Sequence, residues 1–277
     1  MSSLSELGKE ALASWEDNAE FWDSGVGEQG NKYWKRLQEP SLQRLLGENL
    51  KHQDCRALDL ATGNGLCSRW LAKHGATVTA TDGTSGMLEQ ARKYSAGADR
   101  ISFSKLDVTD ANDFVPFVEK AAETGGFDIV LMNMAIMDVS TLDPLADALP
   151  KLLKKDGVFV ATMLHPVFFT STYSRNVEVK FDPETGELEV IRSKVIKEYL
   201  DVKPAKGVAV VGQKSKQIYF HRPLHELFGV FFKRGLLMDA LEEPGFTEED
   251  KVPERLESTA NFVQFPALMS LRFRRFV

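Results

Sequence analysis

The stretch that most constrains the fold is residues 57–65, ALDLATGNG. Its first four residues are apolar except for Asp59, a pattern typical of a buried strand. Gly63 and Gly65 then allow a tight turn, because glycine adopts positive φ and lets a ligand approach the bare backbone. Residues 66–74 follow with the apolar spacing of a helix. A strand, a glycine turn and a helix start together predict a nucleotide-binding corner.

A second strand is predicted at residues 78–82, VTATD, and it ends in an acid. In a doubly wound fold, an acid at this position reaches the ribose hydroxyls of a nucleotide. We therefore expect Asp82 to bind ribose. The turn is not the dehydrogenase pattern G-x-G-x-x-G, because Ser68 stands where that pattern needs a small glycine or alanine.

The spacing Asp59-x-Ala61-x-Gly63-x-Gly65 resembles the first motif of class I S-adenosylmethionine-dependent methyltransferases, (D/E)-x-G-x-G-x-G, with Ala61 in place of the first glycine. Residues 220–277 resemble the C-terminal part of the small-molecule, ubiquinone-methyltransferase-like type. The resemblance implies one α/β domain over residues 1–277, with a doubly wound, Rossmann-like, seven-stranded sheet. It also implies S-adenosylmethionine as cofactor.

Further cofactor-binding residues are implied by the same resemblance. An N-terminal W…NA..W segment supplies Trp15 and Trp22, with Trp34 as a third aromatic candidate, and the others follow predicted strands: Gly83, Met87, Asp107, Val108, Asn133 and Met134. Each has a plain structural alternative. Met87 also suits a helix core, Asp107 suits a surface strand end, and the N-terminal helices could simply cap one sheet edge.

Two segments fall outside the regular strand–helix alternation. Residues 1–50 are helical in character, and we expect them to form a lid. Residues 165–221 contain hairpin signals: predicted strands at 177–181 and 188–191 flank DPETGE, and two more short strands are predicted at 208–211 and 217–220. This segment separates the fifth strand from the next helix by far more than the usual connection. An insertion at the ligand end of a sheet predicts a substrate cap, and a role in dimerisation is the alternative.

Composition narrows the classes of partner. The chain has 277 residues, a net charge of −6 and two cysteines. An acidic chain argues against a nucleic-acid binder. Neither a membrane span nor a metal site is expected, since no long apolar run and no zinc-ligand spacing occur. We expect a cytoplasmic monomer or homodimer that takes a small-molecule acceptor, with no nucleic-acid or membrane partner.

His165 and His221 are the predicted catalytic residues, because both lie where the predicted cap joins the core. Either could remove a proton from an acceptor during methyl transfer, and either could instead be structural. The acceptor atom is left open between O, S and N, and a thiol would need little help from a base. The alternatives are a non-methylating enzyme on the same scaffold and a protein that senses the cofactor.

Overall fold

The computed structural model describes residues 3–95, 97–170 and 172–276. Its strands are β1 (Arg56–Leu60), β2 (Thr77–Asp82), β3 (Ile101–Lys105), β4 (Phe127–Asn133), β5 (Leu153–Leu164), β6 (Ser174–Phe181), β7 (Leu188–Val195), β8 (Ala205–Gly207), β9 (Gln217–Tyr219), β10 (Leu236–Glu242) and β11 (Leu268–Arg275). Seven of them form one sheet in the order β3-β2-β1-β4-β5-β11-β10.

The α-helices are α1 (Leu4–Val26), α2 (Glu39–Leu46), α3 (Leu66–Lys73), α4 (Ser85–Tyr94), α5 (Ala111–Thr124), α6 (Asp143–Leu152) and α7 (Leu224–Phe232). A π-helical turn, Trp34–Gln38, leads into α2, and 3₁₀ turns occupy Asn49–Lys51, Ile136–Asp138, Glu248–Asp250 and Thr259–Asn261. Across the described ranges, none of the helices combines the length and apolarity needed to cross a membrane.

The strands β1 to β5 run parallel, whereas β11 pairs antiparallel with both β5 and β10. Helical crossovers put the carboxyl ends of the parallel strands at one edge of the sheet. The strand order reverses beside β1, where β2 lies on one side and β4 on the other. Open α/β sheets bind ligands at this switch point. The predicted doubly wound, seven-stranded sheet is confirmed.

Both faces of the sheet are buried, because successive side chains of a strand point to opposite faces. One face carries Leu58 and Val130 and packs on residues from α5, α6 and α7. The other carries Ala57 and Ile129 and packs on residues from α2 and α3. This two-sided core holds the strand ends, and therefore the site, in fixed positions.

The segment 165–221 forms two separate hairpins, β6–β7 and β8–β9. The first hairpin agrees with the signal in DPETGE. The second differs from the sequence prediction, which placed a strand at residues 208–211. The strand that pairs with β9 is β8, and Val211 is 96% exposed in the turn that follows. Apolar character alone misled the prediction, since these valines have no sheet partner.

Candidate functional site

The turn after β1 adopts the left-handed conformation at three positions. The φ angles are 51° at Ala61, 58° at Gly63 and 77° at Gly65. A Cβ atom on Gly63 would meet nothing within 4 Å, whereas one on Gly65 would lie 3.0 Å from Ala91 Cβ. Gly65 therefore permits close packing of α4, while Gly63 faces open space. Ala61 holds the positive φ of the glycine it replaces, and such strain concentrates at functional sites.

Asp82 ends β2 directly beside this turn. The Gly63 N–H donates to Asp82 Oδ2 over 3.0 Å, and the Thr84 N–H and hydroxyl donate to Oδ1 over 2.9 and 2.8 Å. Burial raises the pKa of Asp82 above its ordinary value, opposed by these hydrogen bonds. The carboxylate is thus fixed in orientation and still has acceptor lone pairs for a ligand.

Asp59 lies under the turn and is 1% exposed. The Thr62 and Ser68 hydroxyls both donate to its Oδ2 over 2.6 Å. Burial raises the pKa of Asp59 to about 6, despite these two bonds. Its Oδ1 has no hydrogen-bond partner among the described residues. A buried acceptor without a partner is costly unless a ligand satisfies it.

The ends of β3 and β4 complete this edge. Asp107 follows β3, and its Oδ1 accepts from the Thr109 N–H over 2.9 Å. Asn133 ends β4 and is held by Thr162, whose hydroxyl donates to Asn133 Oδ1 over 2.6 Å. Met134 directly follows β4 and has a φ of 56°. Ala61 directly follows the neighbouring strand β1, so each of these two strands is followed by a left-handed residue. Val108 and Met87 are both buried.

Helix α1 lies across the turn. Glu16 accepts from the Ser85 and Gly86 N–H groups over 2.8 Å each, at the start of α4. The Asn64 amide donates to Asp23 Oδ1 over 2.9 Å. A Cβ atom on Gly83 would lie 2.7 Å from Leu12 Cδ2, so the helix sits directly on the end of β2. The carboxylates of α1 thus hold it over the predicted cofactor site.

The same helix also contacts the predicted cap. The Asn18 amide donates to the Ser215 carbonyl over 2.7 Å and accepts from the Ser215 N–H over 3.0 Å. Trp15 and Trp22 pack edge to face with ring centroids 5.1 Å apart. At 100° per residue they lie between the face that meets the turn and the face that meets the cap. Trp34 is different, because it packs on Trp70 in the core.

A cavity opens between the ends of β4 and β5 and the start of α7. Its walls are mostly apolar and include His221 and Arg222, with Ile136, Met137, Met163, Leu164, Pro166, Phe169, Tyr219, Phe220 and Leu227. His221 Nε2 lies 2.7 Å from the Tyr199 carbonyl, so Nε2 carries the hydrogen and Nδ1 is the basic nitrogen. Burial lowers the pKa of His221 below its ordinary value.

His165 faces away from this cavity. Its Nε2 lies 2.8 Å from Glu243 Oε1, and its Nδ1 accepts from the Val167 N–H over 3.2 Å. Burial lowers the pKa of His165, with the Glu243 contact opposing that effect. Both ring nitrogens are therefore engaged by the protein. The structure separates the two predicted histidines, and only His221 lines the cavity.

Sequence reasoning missed several polar residues at this site. Asp138 is 7% exposed, and burial raises its pKa well above the ordinary value. Gln217 Nε2 lies 3.5 Å from Asp138 Oδ1 and donates to the Tyr219 hydroxyl over 2.8 Å. The sequence signal that could have identified Asp138 is an acidic residue shortly after the end of β4. Glu16 and Asp23 gave none, because their partners are distant in sequence.

Comparison with known proteins agrees with this geometry. The methyltransferase domain family matches residues 58–161. Demethylmenaquinone methyltransferase of Clavibacter sepedonicus is 38% identical over 105 residues, which cover 38% of this chain and 39% of that protein. The chain thus spans about two fifths of the length of this curated relative. Residues 58–161 thus match a methyltransferase domain, as the resemblance predicts.

Solved structures share the class I fold at low identity. A Mesorhizobium loti S-adenosylmethionine-dependent methyltransferase superposes with a TM-score of 0.64 at 22% identity, over 90% of this chain and 100% of that one. A glycopeptide N-methyltransferase solved with S-adenosylmethionine gives 0.52 at 13% identity, over 85% and 93%. The predicted methyltransferase resemblance is confirmed over residues 58–161, and the predicted fold is confirmed by these structures, whose names include S-adenosylmethionine dependence and an S-adenosylmethionine complex.

The site of this chain fits that class I cofactor. The space beside Gly63 would admit a ligand against the backbone. Asp59 Oδ1 is a buried acceptor without a partner among the described residues. Asp82 is held at the tip of β2, next to the turn. These are three features that a nucleoside with an amino-acid tail needs: room at the backbone, an acceptor for a polar group and an acceptor for hydroxyls.

Proposed function

We propose that this protein transfers a methyl group from S-adenosylmethionine to an O, S or N atom of a small-molecule acceptor. The observation that carries the proposal is the placement of two sites at one sheet edge. The glycine turn and Asp82 lie at the ends of β1 and β2, and the apolar cavity lies at the ends of β4 and β5. A donor and an acceptor bound there would be neighbours.

The residues that would hold the cofactor lie along the strand ends. Asp82 would accept from the ribose hydroxyls, and the backbone at Gly63 would lie against the amino-acid end. Supporting positions are Trp15, Trp22, Asp59, Ala61, Gly65, Gly83, Met87, Asp107, Val108, Asn133 and Met134. When bound, S-adenosylmethionine supplies a methyl group on a positively charged sulfur, which an acceptor lone pair can attack.

The chain supports this reaction mainly by enclosure. Helix α1 spans from the turn to the cap, through Glu16 on one side and Asn18 on the other. An apolar, enclosed site excludes water and holds the two reactants in line. We infer that residues 1–50 act as a lid and residues 165–221 as an acceptor cap, within one domain of residues 1–277.

His221 is the general base in this proposal. Its Nδ1 is unprotonated, because Nε2 donates to the Tyr199 carbonyl. Burial favours the neutral ring, which is the form that accepts a proton. His165 is assigned a positioning role instead, since it ties the end of β5 to Glu243. An acceptor that ionises readily, such as a thiol, would need His221 less.

The small-molecule character of the acceptor is supported by the apolar cavity and by the similarity to a demethylmenaquinone methyltransferase. Incubation with tritiated S-adenosylmethionine and a cell extract tests it. After filtration, we expect label in small molecules that pass the filter. Label in protein or nucleic acid would overturn the small-molecule acceptor, and bound cofactor without any transfer would favour a sensor.

A further inference from the structure

The cavity contains one positively charged side chain with an unusual set of partners. Arg222 donates from Nη1 to the Ile136 carbonyl over 3.2 Å and from Nη2 to the Val139 carbonyl over 2.8 Å. A third, longer bond joins Nη1 to the Phe220 carbonyl at 3.4 Å. All three acceptors are neutral backbone oxygens, so the guanidinium is held in place without being neutralised.

Across the described ranges, no carboxylate oxygen lies within 4 Å of Arg222. Asp143 Oδ1 forms an ion pair with Arg234 Nη2 at 2.7 Å. Glu226 lies beside His225 on the exposed side of α7. Burial lowers the pKa of Arg222 to about 10, and these two acids oppose that effect only from a distance. Arg222 is partly buried, and a charge withdrawn from water without a counter-ion carries a desolvation cost that a bound anion would offset.

A guanidinium has five N–H donors, and three acceptors are present. Two N–H donors of Arg222 are therefore left for another acceptor, and Arg222 lines the cavity. We propose that Arg222 binds a carboxylate of the methyl acceptor. This inference rests on the proposed function and specifies its substrate class: an apolar molecule that bears one carboxylate.

The surroundings favour a carboxylate over a phosphate. A guanidinium pairs with a planar carboxylate through two parallel bonds and matches its single charge. Phosphate carries more charge and usually needs a second cation. Burial lowers the pKa of His221, the other basic residue on the wall, and so favours its neutral ring, although the bond to the Tyr199 carbonyl opposes that effect. The remaining walls are apolar apart from the Tyr219 hydroxyl and suit a hydrocarbon or aromatic body.

The first test uses the wild-type protein and an extract of small molecules separated by anion exchange into anionic, neutral and cationic fractions. Each fraction is divided, one half is pretreated with phosphatase, and both halves are then incubated with tritiated S-adenosylmethionine. We expect methyl transfer to the anionic fraction. Transfer confined to the neutral or cationic fraction, or abolished by phosphatase, would overturn the carboxylate inference alone. No transfer to any fraction would overturn the proposed function itself.

The second test uses the Arg222→Met and Arg222→Lys variants with the active fraction. We expect Arg222→Met to lower kcat/KM for the acceptor by about tenfold to a hundredfold, the usual loss for a hydrogen-bonded charge pair, with Arg222→Lys in between. The matched control is Arg56→Met. Arg56 also donates to backbone carbonyls, of Thr124 and Gly126, but lies at the opposite end of the sheet.

The amino-acid end of the cofactor also bears a carboxylate. Calorimetry tests whether Arg222 binds that carboxylate or the carboxylate of the acceptor. We expect Arg222→Met and wild type to bind S-adenosylmethionine equally. A matching loss of cofactor affinity would overturn the inference and assign the guanidinium to the cofactor. Equal acceptor kinetics in Arg222→Met and wild type would show that Arg222 only ties loops together. If Arg222→Met does not fold, Arg222→Lys and the wild-type fractionation decide the question.

Discussion

The backbone N–H of Gly63 donates to the carboxylate of Asp82 over 3.0 Å. This bond joins the turn after β1 to the tip of the neighbouring strand β2. Asp82 is 7% exposed. The bond holds its carboxylate beside the open space at Gly63. The bond therefore fixes the Asp82 carboxylate relative to the turn.

Replacing Asp82 by alanine should weaken S-adenosylmethionine binding by about 2–3 kcal/mol, since two charge-assisted bonds to the ribose would be lost. Isothermal titration calorimetry measures this. Asp110→Ala is the control, because Asp110 is an exposed acid that caps α5. Unchanged affinity in a folded Asp82→Ala protein would remove Asp82 from the site.

Gly63→Val should abolish cofactor binding and leave most of the fold intact. A branched side chain would fill the space beside the turn, and its positive φ of 58° adds local strain. Gly75→Val is the matched control for Gly63→Val. Gly75 also has a positive φ, 96°, and open space around its Cβ position, but it lies just before β2 and not in the turn after β1. Both variants should lose similar stability, and only Gly63→Val should fail in calorimetry. Equal binding by the two variants would make the turn purely structural.

Asp59 makes the stability of the ligand-free protein depend on pH. Its folded pKa of about 6 exceeds the unfolded value, so its contribution is present at low pH and lost as pH rises toward 6. Asp59→Asn keeps an oxygen for Thr62 and Ser68 without the charge. Urea unfolding should show the variant about 2–3 kcal/mol more stable than wild type near pH 7.5 and nearly equal near pH 4. The same difference at both pH values would contradict this account.

Much of this arrangement could be predicted from the sequence, because it depends on local pattern. The strand and turn at residues 57–65 and the acid at the end of β2 are contiguous signals, and parallel strands bring their ends together without further information. The alternation of strands and helices predicts the doubly wound plan, and the family resemblance implies the seven-stranded sheet. Local pattern does not specify contacts between distant segments, such as Asn18 with Ser215.

The two histidines show the limit most clearly. His165 directly precedes Pro166, His221 lies two residues before Pro223, and both lie where the insertion meets the core, so the sequence gives no clear reason to separate them. The structure distinguishes them because Leu164 and Pro166 line the cavity, whereas the intervening His165 side chain reaches Glu243. The side to which a junction residue points depends on the exit angle of β5 and on a partner 78 residues away.

His221→Gln should lower kcat by about 10²–10⁴-fold if the acceptor is protonated at neutral pH. Glutamine can keep the donor to the Tyr199 carbonyl while removing the basic nitrogen. Because burial lowers the pKa of His221, the wild-type rate should fall on the acidic side only below the ordinary histidine pKa. That acid limb should vanish in the variant.

Two histidine variants serve as controls for this base. His225→Gln should behave as wild type, since the side chain of His225 is 70% exposed on α7. His165→Gln should change KM more than kcat, because His165 positions a loop. Full activity in a His165→Ala/His221→Ala double variant would show that transfer proceeds by proximity to an acceptor that ionises by itself.

The most direct measurement quantifies S-adenosylhomocysteine and methylated acceptor by mass spectrometry in one reaction with the small-molecule extract. The account predicts that both products form in equal amounts, that the acceptor gains the mass of one methylene group, and that Gly63→Val forms neither. Formation of S-adenosylhomocysteine without a methylated small molecule, or cofactor binding with neither product, would contradict it.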